Sequence, residues 1–408
     1  MISADEARRI ILEQAKPLGA EEIPLQNSLH RCLADRIAAP IDLPVFDNAA
    51  MDGFAVRSED TQRASETSPV SFKIIGTIAA GDDVGAGFSR PGAGTAPLQP
   101  GHAIRIMTGA PIPAGADAVV PFEEWPISKS VPLGSNIRLA GEDVRKGEVV
   151  LQTGEKVTPR TIALLAALGL DRVAVFRRAR VKIVSTGNEL VPPGHPLSPG
   201  KIYNSNGPAL SAALQEIGIV PIGIAAASDA PAVLKKAVSE GVAETDLLIT
   251  VGGISAGDFD LVPRILQEIG AKIIFHKVAI KPGKPLLFAA FEKKLIFGLP
   301  GNPVSALMVF DRFVRPALLK MMGSPVHGRP GRRAVAEEAL KGTKGKEDYL
   351  RGIVQYREGA FFARSAGPQG SAQLATLARA NATLIVPAAK ERIASGETVE
   401  FEFFSEGL

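Results

Sequence analysis

The sequence predicts a multidomain α/β plus β chain, and three observations carry that expectation. Its 408 residues exceed what one growing core sustains, so several compact units are expected. Between 181 and 323, continuous apolar runs alternate with helix-like stretches, the rhythm of a parallel sheet covered on both faces. From 41 to 143, and again from 324 to 408, short β-branched runs are punctuated by Gly, Pro and Asp, which reads as two separate β-rich units.

The first element is a helix. Ser3 and Glu6 are spaced as a capping box ahead of an apolar face that begins at Ile10 and Ile11, and the helix runs to about Pro17. Residues 1–40 and 144–180 together are read as a connector. The second stretch holds two turn-bounded strands and a short helix, with Thr158 as cap, Pro159 at the first helical position and Gly169 after the end. The lobe 41–143 contains the runs Phe72 to Ile78 and Ala103 to Met107. In the unit 181–323 the apolar runs are Val181 to Val184, Ile222 to Ala226, Leu247 to Val251 and Leu295 to Leu299. After about Gly323 the helices stop, and Tyr349 to Gln355, Gly359 to Arg364, Thr383 to Val386 and Thr398 to Phe404 read as a small all-β domain.

Composition excludes several function classes. A net charge of +3, from 46 basic and 43 acidic residues, is too small for a general nucleic-acid-binding field, so any anion site is local. Arg177-Arg-Ala-Arg180 is accordingly read as a solvated junction between units. The single cysteine, Cys32, forms no internal disulfide, and no Cys or His set has zinc-ligand spacing. The N-terminus is acidic where a signal peptide is basic, and no apolar run approaches the roughly 18 residues a membrane span needs. A soluble, cytoplasmic protein without membrane or nucleic-acid partners is expected.

Ligands of open parallel sheets bind beyond the carboxyl ends of the strands. Those ends are small and polar here: Ser185 to Glu189 after the first run, Gly252, Gly253, Ser255 and onward to Asp258 after the third, and Pro300 to Ser305 after the last. Gly301-Asn302-Pro303 has the form of a helix start, whose free amides and partial positive charge suit an oxyanion; the same residues equally serve a plain cap. Lys281-Pro-Gly-Lys284-Pro puts two ammonium groups on one stiffened loop, which fits an anion held between them and also fits a solvated turn. The carboxylates Asp52, Asp143, Glu189, Asp229, Asp258 and Asp260 lie in polar motifs; as hard oxygen donors they suit magnesium where they converge, and caps or turns where they do not. Asp229 also has the position of a cap for a helix beginning near Ala230. No phosphate-binding P-loop and no nucleophile elbow is present, and the five histidines are scattered, which argues against a hydrolase triad.

Taken in order, these motifs resemble the molybdopterin molybdenumtransferase family, the MoeA type and the gephyrin E domain, over nearly the whole chain. The resemblance rests on Asp47 to Ala55, Ile106 to Val120, Asn136-Ile-Arg, Gly141-Glu-Asp143, Ser185 to Leu190, Ile202 to Asn206, Gly252 to Asp258, Ile280 to Pro285, Gly298 to Ala306 and Gln369-Gly-Ser371. It implies an elongated four-domain subunit in a homodimer: a connector, a β-rich lobe, a molybdopterin-binding α/β domain and a C-terminal β-barrel-like domain. The active site would lie between the α/β domain of one subunit and the β-rich lobe of the other.

The implied activity is insertion of molybdate into adenylated molybdopterin with release of AMP, in molybdenum cofactor biosynthesis. The implied catalytic residues are Asp52, Thr108, Asp143, Glu189, Asp260, Lys281 and Lys284, of which Asp52, Asp143, Glu189 and Asp260 would position Mg2+. Ser185, Asp229, Gly252, Gly253, Ser255, Asn302, Ser305, Arg351 and Ser371 would bind substrate. Asn188 and Asn204 stand where many relatives carry aspartate, so both are read as neutral hydrogen-bonding groups. A separate molybdopterin adenylyltransferase would supply the substrate, and molybdoenzyme maturation factors would receive the product. The alternatives are an adenylyltransferase, whose fold the α/β unit resembles, and a gephyrin-like dimeric scaffold without turnover.

Overall fold

The computed structural model describes residues 1–82, 97–254 and 261–405. Helix α1 (Ala4–Gln14) starts as its sequence dictates, with the Ser3 hydroxyl accepting the Glu6 amide at 3.1 Å. Ala4, Ala7 and Ile11 form one stripe buried in the core of the α/β unit, in the same cluster as Ala179. The chain joins the connector only from residue 20: Ala20–Pro24 pairs antiparallel with Arg172–Phe176, and Ile37–Ala38 with Val149–Leu151. Helix α2 (Pro159–Ala167), capped by Thr158 as its sequence requires, packs Leu165 with Leu25, Leu33, Val157 and Val175 into that small core.

The β-rich lobe holds a four-stranded sheet in the order Lys73–Ile78, His102–Ile106, Gly53–Val56, Ala118–Pro121. Apolar side chains are buried on both of its faces, Ile78, Ile104 and Val119 in one cluster and Phe54, Val56 and Val120 in another. Asn48–Ala49 and Ile137–Arg138 make a second, two-stranded piece.

The α/β unit is one six-stranded sheet. Its strands are β1 (Val181–Thr186), β2 (Gly223–Ala227), β3 (Leu247–Val251), β4 (Lys272–Phe275), β5 (Leu287–Phe291) and β6 (Lys294–Leu299), in the order β2-β1-β3-β6-β5-β4. Strands β1, β2, β3 and β6 are parallel, but β5 runs against both of its neighbours. The sheet is therefore mixed, not purely parallel. Only Glu292 and Lys293 join β5 to β6, and a two-residue connection can link antiparallel strands alone. Alternation along each strand sends Ile183, Ile249 and Phe297 to one face and Val184, Leu248 and Ile296 to the other. Helix α3 (Asn206–Glu216) and the helix Pro303–Val309 cover the first face, with α1 packed on the helical stretch 310–321 that follows; α4 (Pro231–Glu244) and α5 (Leu261–Glu268) cover the second.

In the C-terminal unit, Glu347–Arg357 pairs with both Ala360–Ser365 and Ala382–Val386, which closes a five-stranded barrel with Arg332–Ala336 and Thr398–Phe403. A six-residue helix, Leu374–Arg379, interrupts the expected all-β segment; its Leu, Ala and Arg are good helix formers. Several contacts join the barrel to the α/β unit. Ile280–Lys281 adds a short parallel strand beside Glu347–Asp348. Nearby, a buried polar cluster gathers four segments: Arg312 pairs with Glu402 and lies over the Tyr349 ring at 4.9 Å, Tyr349 donates to Glu347 at 2.5 Å, and Arg8 of α1 donates to the Tyr349 hydroxyl at 3.3 Å.

The basic junction also has a structural use. Arg177 grips Asp246 with two bonds of 2.7 Å, and the Arg180 amide adds a third at 2.8 Å. Burial acts to raise the Asp246 carboxyl, but the Arg177 and Arg180 contacts outweigh it and hold the group below its ordinary value. A depressed folded-state pKa stabilises above the unfolded carboxyl's range, near pH 4, and that stability is lost as pH falls through the folded value. Asp246→Asn should therefore lower stability at neutral pH, with the difference from the parent protein shrinking in acid; denaturant unfolding across pH 3 to 7 measures it. Separately, Arg312→Met leaves Glu402 buried without its cation and should cost about 3 kcal/mol in the barrel's denaturant transition, part of which Glu402→Gln in the same chain should restore.

Candidate functional site

The loops after β1, β3 and β6 converge, as expected for ligand-binding ends of an open sheet. A Cβ on Gly252 would lie 2.8 Å from both the carbonyl and hydroxyl oxygens of Thr186, and Gly252 and Gly253 have φ of +91° and +63°, so both positions demand glycine. The Gly252 amide donates to Leu299 at 3.0 Å, and Asn206 donates to the Gly301 carbonyl at 2.7 Å. Below them Ser185 is buried beside Asn204, whose side-chain oxygen accepts the Gly207 amide at 3.0 Å and so holds the start of α3. Asn204 is thus a neutral hydrogen-bonding group, and Ser185 lies under the pocket floor, not at its surface. The Thr186 hydroxyl and the Asn206 side-chain oxygen are buried here with no partner among the described residues. Buried polar atoms normally find one, which marks this floor as a place where a ligand or water completes the bonding.

Two helix-start residues depart from expectation. Asn302 precedes helix α6 (Pro303–Val309) without a side-chain capping bond; its amide reaches across to the Ser371 hydroxyl at 3.1 Å. Asn302 and Ser371 are thereby brought together from the α/β unit and the barrel. Asp229 does not cap α4 either. It accepts the Asn188 amide at 3.1 Å while Asn188 accepts the Asp229 amide at 3.1 Å, a reciprocal pair that staples the loops after β1 and β2. Ser305 is buried in the first turn of α6.

Lys281 and Lys284 are both exposed on the loop between β4 and β5. Gly283 between them has φ +102°, and a Cβ there would collide with Val309, so the loop's shape requires glycine. Lys284 has no side-chain partner among the described residues, whereas Lys281 donates to the Thr343 hydroxyl at 3.2 Å and lies 3.9 Å from Asp348. Asp348 is 1% exposed and accepts the Thr343 amide at 2.7 Å and its hydroxyl at 3.2 Å; burial pushes its carboxyl above the ordinary range despite those bonds. Thr343 and Asp348 were not legible as site residues. Their one signal is a buried carboxylate near the head of the strand Glu347–Arg357.

Arg351, expected from the resemblance to bind substrate, braces a loop of the barrel. It is 0% exposed, and its guanidinium donates to the carbonyls of Pro368, Gln369 and Gly370 at 3.0, 3.2 and 3.0 Å, which shapes the loop that presents Ser371.

The expected metal carboxylates are divided. Asp52 accepts both the amide and the hydroxyl of Thr108 on one oxygen, at 2.7 and 2.8 Å. The Thr108 amide, then its hydroxyl, hold the Asp52 carboxyl below its ordinary range. Asp143 is exposed on the same lobe, and Glu189, exposed on the α/β unit, folds back over Gly187. Ser255, Asp258 and Asp260 lie outside the described residues. Among the described residues of one chain, no three His, Cys, Asp or Glu side chains are gathered as a metal site. No described helix is long and apolar enough to cross a membrane.

Comparison with known proteins gives matches to three family regions. Residues 2–169 match the MoeA N-terminal region (domain I and II), 182–320 a probable molybdopterin binding domain, and 333–404 the MoeA C-terminal region (domain IV). The chain is 38% identical over 412 residues to molybdopterin molybdenumtransferase 2 of Mycobacterium tuberculosis, covering 98% of this chain and 99% of that one. It is 38% identical to the molybdopterin molybdenumtransferase of Bacillus subtilis, covering 98% and 93%. A crystal structure of the molybdopterin biosynthesis MoeA protein of Pyrococcus horikoshii is similar throughout, with a TM-score of 0.83, 33% identity and 100% of both chains covered.

The bonding around Asp52 makes a direct test. Thr108→Val removes the hydroxyl donor but keeps the amide, so the Asp52 carboxyl should titrate higher, closer to its ordinary value. Carbon-13 NMR of the carboxyl reads this, and an unmoved midpoint would leave the amide as the sole cause.

Proposed function

Because the chain belongs to the molybdopterin molybdenumtransferase family, it is a transferase of molybdenum cofactor biosynthesis, and we propose that it inserts molybdate into adenylated molybdopterin and releases AMP. The observation that carries this reading is the convergence of three glycine-rich loop ends over two unpartnered buried polar atoms. The full-length match, spanning N-terminal, α/β and C-terminal regions, separates this reading from an adenylyltransferase built on the α/β unit alone. The retained lysines and carboxylates favour turnover over a scaffold role, which has no need of them.

The physical problem is that an oxyanion must approach a substrate that is already anionic, so the site must supply positive charge and aimed donors where water is partly excluded. Lys281, Lys284 and the amides near Asn302 are the donors proposed for oxyanion groups, with Ser371 fixing Asn302. Gly252 and Gly253 let substrate approach backbone closely, and Ser185, Asn204 and Asp229 hold the loops in place. The chain acts by positioning its two substrates and not through a covalent nucleophile.

The residues present fit magnesium in a particular way. This ion keeps several waters and is commonly held by one or two carboxylates together with substrate phosphates. A Thr108-braced Asp52, with Asp143, on one lobe and Glu189 on the other are suited to that use, and Asp260 is the fourth carboxylate proposed from the sequence. When bound, Mg2+ would neutralise charge at the pyrophosphate linkage. The division of these groups between lobes supports a homodimer in which each site draws on two chains. Function in the cytoplasm, with adenylated substrate arriving from a separate adenylyltransferase, completes the proposal.

Lys281→Ala should lower molybdate-dependent AMP release roughly 10- to 100-fold, the scale of a lost charge-assisted hydrogen bond, with the circular dichroism spectrum retained. Unchanged release would remove this lysine from the chemistry. Glu189→Gln should shift the magnesium titration of AMP release to higher concentration, and an identical titration would take Glu189 out of the metal set.

A further inference from the structure

The loop that carries Lys281 does not stand alone. Ile280–Lys281 is paired with Glu347–Asp348 of the barrel, so the backbone of the lysine is fixed by a second unit. Its side chain is fixed by the same unit. The Lys281 ammonium donates to the Thr343 hydroxyl at 3.2 Å, and that hydroxyl donates its only proton to Asp348 at 3.2 Å. A hydroxyl whose proton is committed in one direction presents its lone pairs in the other, here toward the ammonium. Asp348 is itself anchored by the Thr343 amide at 2.7 Å and is 1% exposed, so the chain Lys281 to Thr343 to Asp348 ends on a fixed point.

A free lysine loses rotamer entropy when it is immobilised on an anion. Lysine 284, on the same loop and without a side-chain partner among the described residues, has no such restraint. The two lysines are therefore not equivalent. We propose that Thr343 and Asp348 of the C-terminal barrel are positioning residues for the transferase reaction, holding the Lys281 ammonium toward the oxyanion while Lys284 stays free to adjust. The inference rests on the reading of Lys281 as a site residue given above. It makes the barrel part of the site: the Asn302–Ser371 bond is a second contact between the same two units, on the neighbouring loop.

Two measurements test it. In single-turnover AMP release, Thr343→Val, which keeps the shape and removes the hydroxyl, should slow the reaction five- to tenfold, and Thr343→Ser should restore it. In a Lys281→Ala background, Thr343→Val should have no further effect. An equal loss in both backgrounds would overturn the positioning role while leaving Lys281 in place; a Lys281→Ala enzyme of full activity would instead overturn the underlying reading and the inference with it.

The second measurement does not depend on turnover. Acylation by an N-hydroxysuccinimide ester, read by mass spectrometry, should label Lys281 severalfold more slowly than Lys284 in the parent protein. Thr343→Val should remove most of that difference. Equal labelling of the two lysines in the parent protein would refute the restraint. Asp348→Asn should act in the same direction; where loss of the buried carboxylate prevents folding, the Thr343 pair carries the test alone.

Discussion

The short strand pairing of Ile280–Lys281 with Glu347–Asp348 is the contact on which the candidate site depends. The α/β sheet can place glycine-rich loop ends at one edge, since that follows from parallel strands and their connections. It cannot by itself fix a loop that lies between β4 and β5. That loop is held from outside, by the barrel on one side and by α1 on the other, where Ile2 exchanges bonds with Lys277 and Ala279 at 3.3 and 2.8 Å. Arg8, Arg312, Tyr349 and Glu402 make the same three-way junction in the buried core, so the parts that frame the loop are joined by charge as well as by backbone.

Two kinds of residue share the work at the loop ends. Glycines allow approach: Gly252 sits against Thr186 and Gly283 against Val309, in each case closer than any Cβ permits. Polar side chains then lock one loop to the next, as Asn188 does with Asp229, Asn206 with Gly301 and Asn302 with Ser371. Arg351 belongs to this second kind. Its two terminal nitrogens donate to three carbonyls under the surface.

Much of the fold was legible because local and long-range signals agree. Apolar runs at Val181, Leu247 and Leu295 became central strands, and Thr158-Pro159 began a helix where the capping rule puts one. What misled was tertiary competition for the same side chains. Asn302 and Asp229 each precede a helix, but Ser371 and Asn188 claim their polar atoms. The alanines of α1 say that something packs closely without saying what, and it is the α/β unit. In the candidate site, the glycine loops and Lys281 could be found by pattern. Thr343 and Asp348 could not, because only the barrel's docking brings them to the lysine.

The closed barrel has one more property that follows from its register. Asp348 pairs with Val386 on one side and Lys281 on the other, while Ala360–Ser365 takes up the strand only from Gly352 onward. The stretch before Gly352 would otherwise present an open β-edge, the kind of surface that recruits a stray strand from another molecule. Ile280–Lys281 caps the head of that edge from within the chain. Substitutions that undock the barrel should therefore show themselves first as self-association, before any secondary structure is lost.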